Sequence, residues 1–203
     1  MSHPKGYNYD ARAKALYHPD DLIPGGSTEI QIAGVTKQFE NRYVSLREVT
    51  YNRNGTFFQA RSVLIMPDCV MVVPVRHDNR LIMVKVLRPG INRWSWEFPA
   101  ERMELRDPQS EALRCAKEEA GLVGAPDNMR SLGNVGSMPD RLTETTHMMA
   151  IYGTFNLSAR IDKGEVPNGS IRAFTTKQVH AMIRENEILC PCTRSAYYAF
   201  MEP

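Results

Sequence analysis

The chain has 203 residues, of which 42% are hydrophobic and 24% charged, and these fractions exclude a collagen-like, coiled-coil or wholly disordered protein. Its 25 lysines and arginines face 23 aspartates and glutamates, so the formal net charge of +2 gives no basic field for general nucleic-acid binding. The sequence contains no run of about 18 uninterrupted apolar residues, the length that a membrane span would need. Four cysteines are too few for a disulfide scaffold of this length, so a soluble protein of the reducing cytoplasm is expected.

The chain is predicted to begin with an irregular arm and a small β-rich segment. Residues 1–28 are rich in Pro, Gly and Asp and show no period, which predicts the arm. Residues 29–66 mix period-two apolar stretches around the hairpin turn Asn54-Gly55 and predict about three antiparallel strands. Because so small a sheet cannot bury its own apolar residues, we expect it to pack against a second copy in a homodimer.

Residues 67–203 are predicted to form the main domain, which opens with two apolar strands. These strands, at 69–75 and 81–87, are continuously apolar, as expected when both faces of a sheet are covered by helices. The first covering helix is predicted from 108 to 120, since Asp107-Pro108 is an N-cap signal and Gly121 a C-cap signal.

Shorter elements complete the predicted domain. Strands are expected near 132–135, 147–155 and 171–174, and helices at 176–185 and 193–200. The predicted fold class is therefore α+β: an α/β/α sandwich with a mixed sheet, plus the small N-terminal antiparallel β unit.

The first helix carries acidic residues at helical spacing. Glu111, Cys115, Glu118 and Glu119 lie three or four residues apart and are predicted to share one face, opposite an alanine and leucine stripe. Clustered carboxylates repel one another unless a hard cation such as Mg²⁺ neutralises them. For Glu118 and Glu119 taken alone, however, an ordinary solvated face is the favoured interpretation.

The surrounding residues resemble the Nudix hydrolase family. The run Arg114-Cys115-Ala116-Lys117-Glu118-Glu119-Ala120-Gly121-Leu122 is similar to the second half of the Nudix signature. The approach, Arg88-Pro89 followed by Trp94-Ser95-Trp96-Glu97-Phe98-Pro99-Ala100, resembles the ADP-ribose pyrophosphatase branch. The resemblance implies a Nudix-like fold, a homodimer, and Mg²⁺- or Mn²⁺-dependent hydrolysis of a nucleoside diphosphate linked to another moiety, as in ADP-ribose or a nucleotide sugar.

The resemblance also assigns roles to individual residues. Glu118 and Glu119, with the Ala100 carbonyl, would hold the metal, and Glu118 also counts among the catalytic residues. Glu144, which follows Met138-Pro139, would be the base that activates water, with Asp140 as the alternative.

Substrate contacts are implied at three further positions. Arg88 and Glu97 match residues of the same branch. The guanidinium of Arg88 would bind a phosphate, and the carboxylate of Glu97 would accept a hydrogen bond from an adenine amino group or a ribose hydroxyl. Arg47 lies in the β-rich segment, which in this branch contributes to the partner's pocket. The aromatic side chains of Trp94, Trp96 and Phe57 are candidates for stacking on a base, with core packing favoured for at least two of them.

The signature is altered at three positions. Glu101 replaces a glycine, Arg106 stands where a glutamate is expected unless Glu104 substitutes for it, and Cys115 replaces a ligand glutamate. A thiol is a poor ligand for Mg²⁺, so Cys115→Glu is expected to strengthen metal binding, while Glu111 is a candidate for partial compensation. Two functions therefore stay open, a hydrolase and a catalytically impaired nucleotide-binding sensor or assembly module.

Overall fold

A computed structural model describes residues 30–41, 45–53, 56–104, 107–156 and 170–202. The predicted N-terminal arm, the turn at Asn54-Gly55 and Arg106 lie outside the described residues, as does the side chain of Phe57.

Eleven strands and three α-helices are present in these ranges. The strands are β1 (Ile30–Glu40), β2 (Ser45–Arg53), β3 (Thr56–Ile65), β4 (Cys69–Arg76), β5 (Leu81–Arg88), β6 (Arg93–Glu97), β7 (Ala100–Arg102), β8 (Leu122–Val123), β9 (Met129–Val135), β10 (Thr146–Asn156) and β11 (Ile171–Phe174). The helices are α1 (Pro108–Ala120), α2 (Thr176–Arg184) and α3 (Pro191–Met201). None of the described helices is long and apolar enough to cross a membrane.

The chain divides into two compact units, and the first contains the predicted antiparallel sheet. It comprises the described residues up to Pro67 together with Met138–Glu144. Strands β1, β2 and β3 pair in that order, all antiparallel, over a small core of Val49, Val63 and Ile65. The later segment joins this sheet through β3, where the Leu64 amide donates to the Arg141 carbonyl at 2.7 Å.

The second unit, residues 68–137 and 145–203, is built on a mixed sheet. Its strand order is β11-β5-β4-β10-β8, and in addition β6 pairs with β5, β7 with β4 and β9 with β10. Strand β10 runs parallel to β4, and the other described pairs are antiparallel. The central position of β4 explains why its sequence is continuously apolar.

Helices cover both faces of this sheet, as the apolar strands predicted. Successive side chains of β4 point to opposite faces, so Val70 and Val72 pack with α1 while Met71 and Val73 pack with α2 and α3. The result is an α/β/α sandwich with two separate core clusters.

Helix α1 begins and ends at the predicted caps. The Asp107 side chain accepts from the Ser110 amide at 2.9 Å, and Pro108 occupies the first turn. Gly121 adopts a left-handed conformation, with φ at 62°, and its amide donates to the Lys117 carbonyl. These caps fix the helix position over the sheet.

Gly124 follows β8 at a point of close packing, which leads to a prediction about stability. A Cβ added there would lie 2.3 Å from Cγ2 of the fully buried Ile151 and 3.7 Å from Leu113 Cδ2. Because Ile151 lies on central strand β10, it cannot move aside freely, and Gly124→Ala should destabilise the protein by about 1–3 kcal/mol. Urea unfolding measures this change; Gly90→Ala, where a Cβ meets nothing within 4 Å, is the matched control.

Candidate active site

A small cavity of about 50 Å³ opens on the α1 side of the second unit's sheet. Its lining residues come from strands β5, β6 and β7, the β6–β7 connection and helix α1, and they are Val84, Val86, Arg88, Glu97, Phe98, Ala100 and Glu119. Four residues predicted to bind substrate or metal therefore meet in one place. They are Arg88, Glu97, Ala100 and Glu119.

Arg88 and Glu97 form a bidentate ion pair in this cavity. Arg88 Nε donates to Glu97 Oε1 at 2.9 Å, and Arg88 Nη2 donates to Glu97 Oε2. The carboxylate is only 1% exposed, whereas the arginine side chain is 47% exposed. A buried carboxylate therefore holds a guanidinium whose outer side reaches solvent, where an anionic ligand could meet it.

The turn between β5 and β6 positions this pair. Residues Pro89–Ile91 form a single 3₁₀ turn, and Asn92 closes it in a left-handed conformation with its amide donating to the Pro89 carbonyl. The register that follows places Val84 opposite Glu97, and side chains alternate from there along both strands. Arg88 and Glu97 thus project from the same face of the sheet.

Arg114, on α1, binds three carboxylates at once. Its Nη1 lies 2.6 Å from Glu101 Oε1 and 2.9 Å from Glu118 Oε2. Its Nη2 lies 2.7 Å from Glu111 Oε2. We call Glu101, Glu111, Glu118 and Arg114 the Arg114 cluster. Two of the carboxylates follow from the helix itself, since Glu111 and Glu118 are three residues before and four residues after Arg114.

The cluster changes the proton affinity of its members. Burial raises the pKa of the Glu101 carboxyl, an effect that Arg114 opposes and that Glu118 and Glu111 reinforce. Partial burial lowers the pKa of Arg114, but its hydrogen bonds to Glu111 and Glu101 outweigh burial and raise the pKa above its usual value. The guanidinium therefore keeps its charge at every pH at which the protein is folded.

The expectation that Cys115 lies on an acidic outer face is wrong. Cys115 is fully buried, in the core cluster that includes Ala112 and Ala116. Burial raises the pKa of its thiol well above the usual range, and the charges of Glu119 and Glu101 raise it further. A neutral thiol packs as a small hydrophobe, so this residue serves the core rather than a metal.

The same expectation is wrong for Glu111, which was predicted on the acidic face but has no exposed surface. Its carboxylate is held by Arg114 and does not point freely along an outer face. Glu118, in contrast, is half-exposed, as a solvated helix position predicts. Glu104 is exposed and lies beyond β7.

The acidic residues of the site bear on whether it could hold Mg²⁺. Among the described residues, no group of three or more His, Cys, Asp or Glu side chains is arranged to hold a metal ion. Mg²⁺ is often bound by one or two carboxylates together with substrate phosphates and water. Glu119 and Ala100 line the same cavity, and an ion held by these two residues would need further ligands from outside the protein.

Two predicted site residues belong to the first unit. Glu144 ends the segment Met138–Glu144. Arg47, on β2, is buried, and its Nη2 lies 3.4 Å from Glu40 Oε1. Their predicted roles, as base and as substrate contact, stay predictions.

The two tryptophans project from the face of the sheet opposite the cavity. Trp94 and Trp96 alternate with Ser95 and Glu97 along β6. Trp96 is buried edge-to-face against Phe174, with Lys85 Nζ 5.7 Å from its ring centre, whereas Trp94 is exposed. Neither indole therefore lines the cavity that holds Arg88.

The burial of Cys115 changes the expected outcome of Cys115→Glu. A carboxylate at this position would lie in the core beside Glu119, so we expect the melting temperature in EDTA to fall by more than about 5 °C. Mg²⁺ should restore part of this loss if the new carboxylate reaches the ion. Thermal unfolding with and without Mg²⁺ measures both effects; an unchanged melting temperature in EDTA would show that the helix can turn this position outward.

Comparison with known proteins supports the fold. The chain is similar in fold to a crystal structure of an ADP compounds hydrolase, with a TM-score of 0.74 and 16% sequence identity. The match covers 87% of this chain and 95% of that chain. No protein-family model and no curated protein matches the sequence. The predicted fold class, a Nudix-like α+β sandwich with an additional antiparallel unit, is confirmed.

Proposed function

We propose that the chain is a metal-dependent hydrolase that divides a nucleoside diphosphate linked to a second moiety, of the ADP-ribose or nucleotide-sugar type. The observation that carries the proposal is the meeting of Arg88, Glu97, Ala100 and Glu119 in one cavity. The likeness in fold to an ADP compounds hydrolase supports the same substrate class. The resemblance of residues 88–100 and 114–122 to the Nudix signature supports metal-dependent hydrolysis as the reaction.

Each cavity residue has a distinct proposed role. The exposed side of the Arg88 guanidinium binds a phosphate oxygen, and Glu97 keeps that guanidinium oriented. Glu119 and the Ala100 carbonyl hold Mg²⁺ or Mn²⁺ that enters with the diphosphate. The ion, when bound, would offset the negative charge on the oxygens of the attacked phosphate.

The remaining predicted residues are part of the proposal. Glu144 acts as the base that positions and deprotonates water, and Glu118 assists at the metal. Arg47 contributes to substrate binding from the β-rich segment. We place the reaction in the cytoplasm, where nucleotide-linked diphosphates are available.

A product assay tests this function. The chain is incubated with ADP-ribose, nucleotide sugars and dinucleotides, each with Mg²⁺, with Mn²⁺ and with EDTA, and the products are separated by chromatography. Two monophosphates formed only with metal are expected. Absence of product from every compound at high enzyme concentration would contradict the proposal.

The Arg114 cluster favours a second candidate, a nucleotide-binding module without turnover. Its guanidinium already neutralises Glu118, and buried Cys115 replaces a ligand. Calorimetry with the same compounds separates the two functions, because the module would show saturable binding with the ligand recovered intact.

A homodimer is the expected assembly. In the first unit, residues 33–39 of β1 are all exposed, including the apolar Val35 and Phe39, while the described core of that unit is small. Pairing with a second copy would bury these side chains. Sedimentation at micromolar concentration should give twice the chain mass, and Phe39→Asp should shift the equilibrium to monomer; a wild-type monomer would contradict the assembly.

A further inference from the structure

The β5–β6 hairpin carries positive charge without carboxylates of its own. Between Leu81 and Trp96 its basic residues are Lys85, Arg88 and Arg93, and the sequence there contains no Asp or Glu. Lys85 lies against the Trp96 ring, on the face opposite the cavity. The end of the hairpin therefore carries two further cations, Arg88 and Arg93.

Arg93 projects from the same face of the sheet as Arg88 and Glu97. The strand register pairs Arg93 directly with Arg88, so the two side chains leave one face with their Cβ atoms about 4.5–5.5 Å apart. Arg93 also stands four residues before Glu97 on β6, and every second side chain of a strand points to the same face. Because like charges directly opposite one another destabilise a sheet, this arrangement favours an anion that lies against both.

The two arginines differ in what already binds them. The buried Glu97 carboxylate holds the Arg88 guanidinium, whose side chain runs back along the hairpin, since about 13 Å of β6 separates residues 93 and 97. Arg93 is exposed, and it makes no hydrogen bond, ion pair or ring contact with any residue that the structure describes. Its charge is therefore not neutralised by these residues, and its backbone lies farther out along the hairpin than the Arg88 guanidinium.

We propose that Arg93 is an outer phosphate-binding residue that, together with the inner contact at Arg88, makes the site selective for two adjoining phosphate groups over one. The identity of the natural ligand, a linked nucleoside diphosphate, rests on the proposed function. Arg88 binds the phosphate nearer to Glu119, and Arg93 binds the next phosphate outward. Each guanidinium offers parallel N–H donors that suit phosphate oxygens.

The turn between the two strands holds the backbone of this pair in place. Asn92 closes the turn in the left-handed region, with φ at 49°, and its amide donates to the Pro89 carbonyl at 3.1 Å. Arg93 follows directly as the first residue of β6. Binding of the outer phosphate therefore requires one side chain, and not a loop, to become ordered.

Inorganic phosphate and pyrophosphate are suitable probes, because they report on phosphate contacts without a nucleoside. Calorimetry in metal-free buffer should show that the wild type binds pyrophosphate at least about fivefold more tightly than phosphate. Arg93→Met should bind pyrophosphate about five- to tenfold more weakly than the wild type, with phosphate affinity changed by less than about twofold. Arg93→Lys keeps the charge without the planar fork and should give an intermediate affinity for pyrophosphate. Arg88→Met should weaken the binding of both anions.

Arg184→Met is the matched control, since Arg184 is also an exposed arginine and lies at the end of α2, away from the hairpin. It should leave both affinities unchanged. The melting temperature of Arg93→Met should stay the same or rise slightly, because a like-charged neighbour of Arg88 is removed. The proposal is overturned if the wild type does not prefer pyrophosphate, if Arg93→Met retains wild-type affinity for it or loses phosphate affinity equally, or if Arg184→Met has the same effect.

The outer contact and the proposed hydrolysis can fail separately. If no compound is hydrolysed but Arg93→Met loses the preference for pyrophosphate, the outer contact stands and the hydrolase does not. If hydrolysis occurs, Arg93→Met should raise KM about five- to tenfold with kcat within about twofold of the wild type, since the lost contact is made equally in the ground state and the transition state. A wild-type KM in that variant would overturn the outer contact and leave the hydrolase intact.

Discussion

Glu119→Gln is expected to reduce hydrolysis of the best substrate by about 10³-fold while leaving the fold intact. Glu119 is the residue of α1 that lines the cavity, and its carboxylate is proposed to hold the ion that arrives with the diphosphate. Glutamine has the same shape but lacks the negative charge, so the ion loses an anionic ligand. The melting temperature without metal should change by less than about 2 °C, because a partly exposed helix position contributes little to stability.

Steady-state rates with Mg²⁺ and melting curves in EDTA provide the comparison for Glu119→Gln. Glu187→Gln removes an exposed carboxylate in the α2–α3 connection and is the matched control. It should retain the wild-type rate. Full activity in Glu119→Gln, or a larger loss in Glu111→Gln than in Glu119→Gln, would show that the metal is not held at this helix position.

Arg88→Met should destabilise the protein by about 2 kcal/mol and weaken substrate binding about tenfold. The variant leaves the Glu97 carboxylate buried without its bidentate partner. Loss of one member of a buried ion pair can cost about 3–5 kcal/mol, and the half-exposed position of Arg88 reduces this figure because water can approach. Urea unfolding measures stability, and the change in KM reports the lost phosphate contact.

The double variant Arg88→Met/Glu97→Gln separates the two effects. A neutral amide at position 97 removes the unpaired charge, so at least half of the lost stability should return. Substrate binding should not return, since the guanidinium is still absent. A double variant as unstable as Arg88→Met would indicate that packing of the arginine stem, and not the buried carboxylate, causes the loss.

The elements with strong local signals were predictable from the sequence. Helix α1 has an aspartate N-cap, a proline in its first turn and a glycine C-cap, and the predicted bounds of 108 and 120 are those observed. The apolar strands β4 and β5 were likewise predicted. Strands β6 and β7 were not, since both are short and carry charged residues and Pro99 stands between them; they become strands by pairing with β5 and β4.

The cavity was more predictable than the charge arrangement around it. Similarity of short motifs identified Arg88, Glu97, Ala100 and Glu119, which converge in the structure. Helical spacing alone placed Cys115 on the acidic face, because spacing does not show which side of α1 meets the sheet. The role of Arg114 was missed, although Glu111 and Glu118 stand at i−3 and i+4 from it; the third carboxylate, Glu101, reaches it only through tertiary structure.

The parallel pairing of β4 with β10 determines the order in which the chain can fold during its synthesis. Cys69 pairs with Thr146, 77 residues later, so the central strand leaves the ribosome long before its partner. At about 5–20 residues per second, β4 waits on the order of ten seconds for β10, and its face that packs with α2 and α3 stays uncovered throughout that interval. Among the described strands made before Thr146, β5 and β7 alone pair with β4, so we expect nascent chains that end before Thr146 to be captured by chaperones or to aggregate.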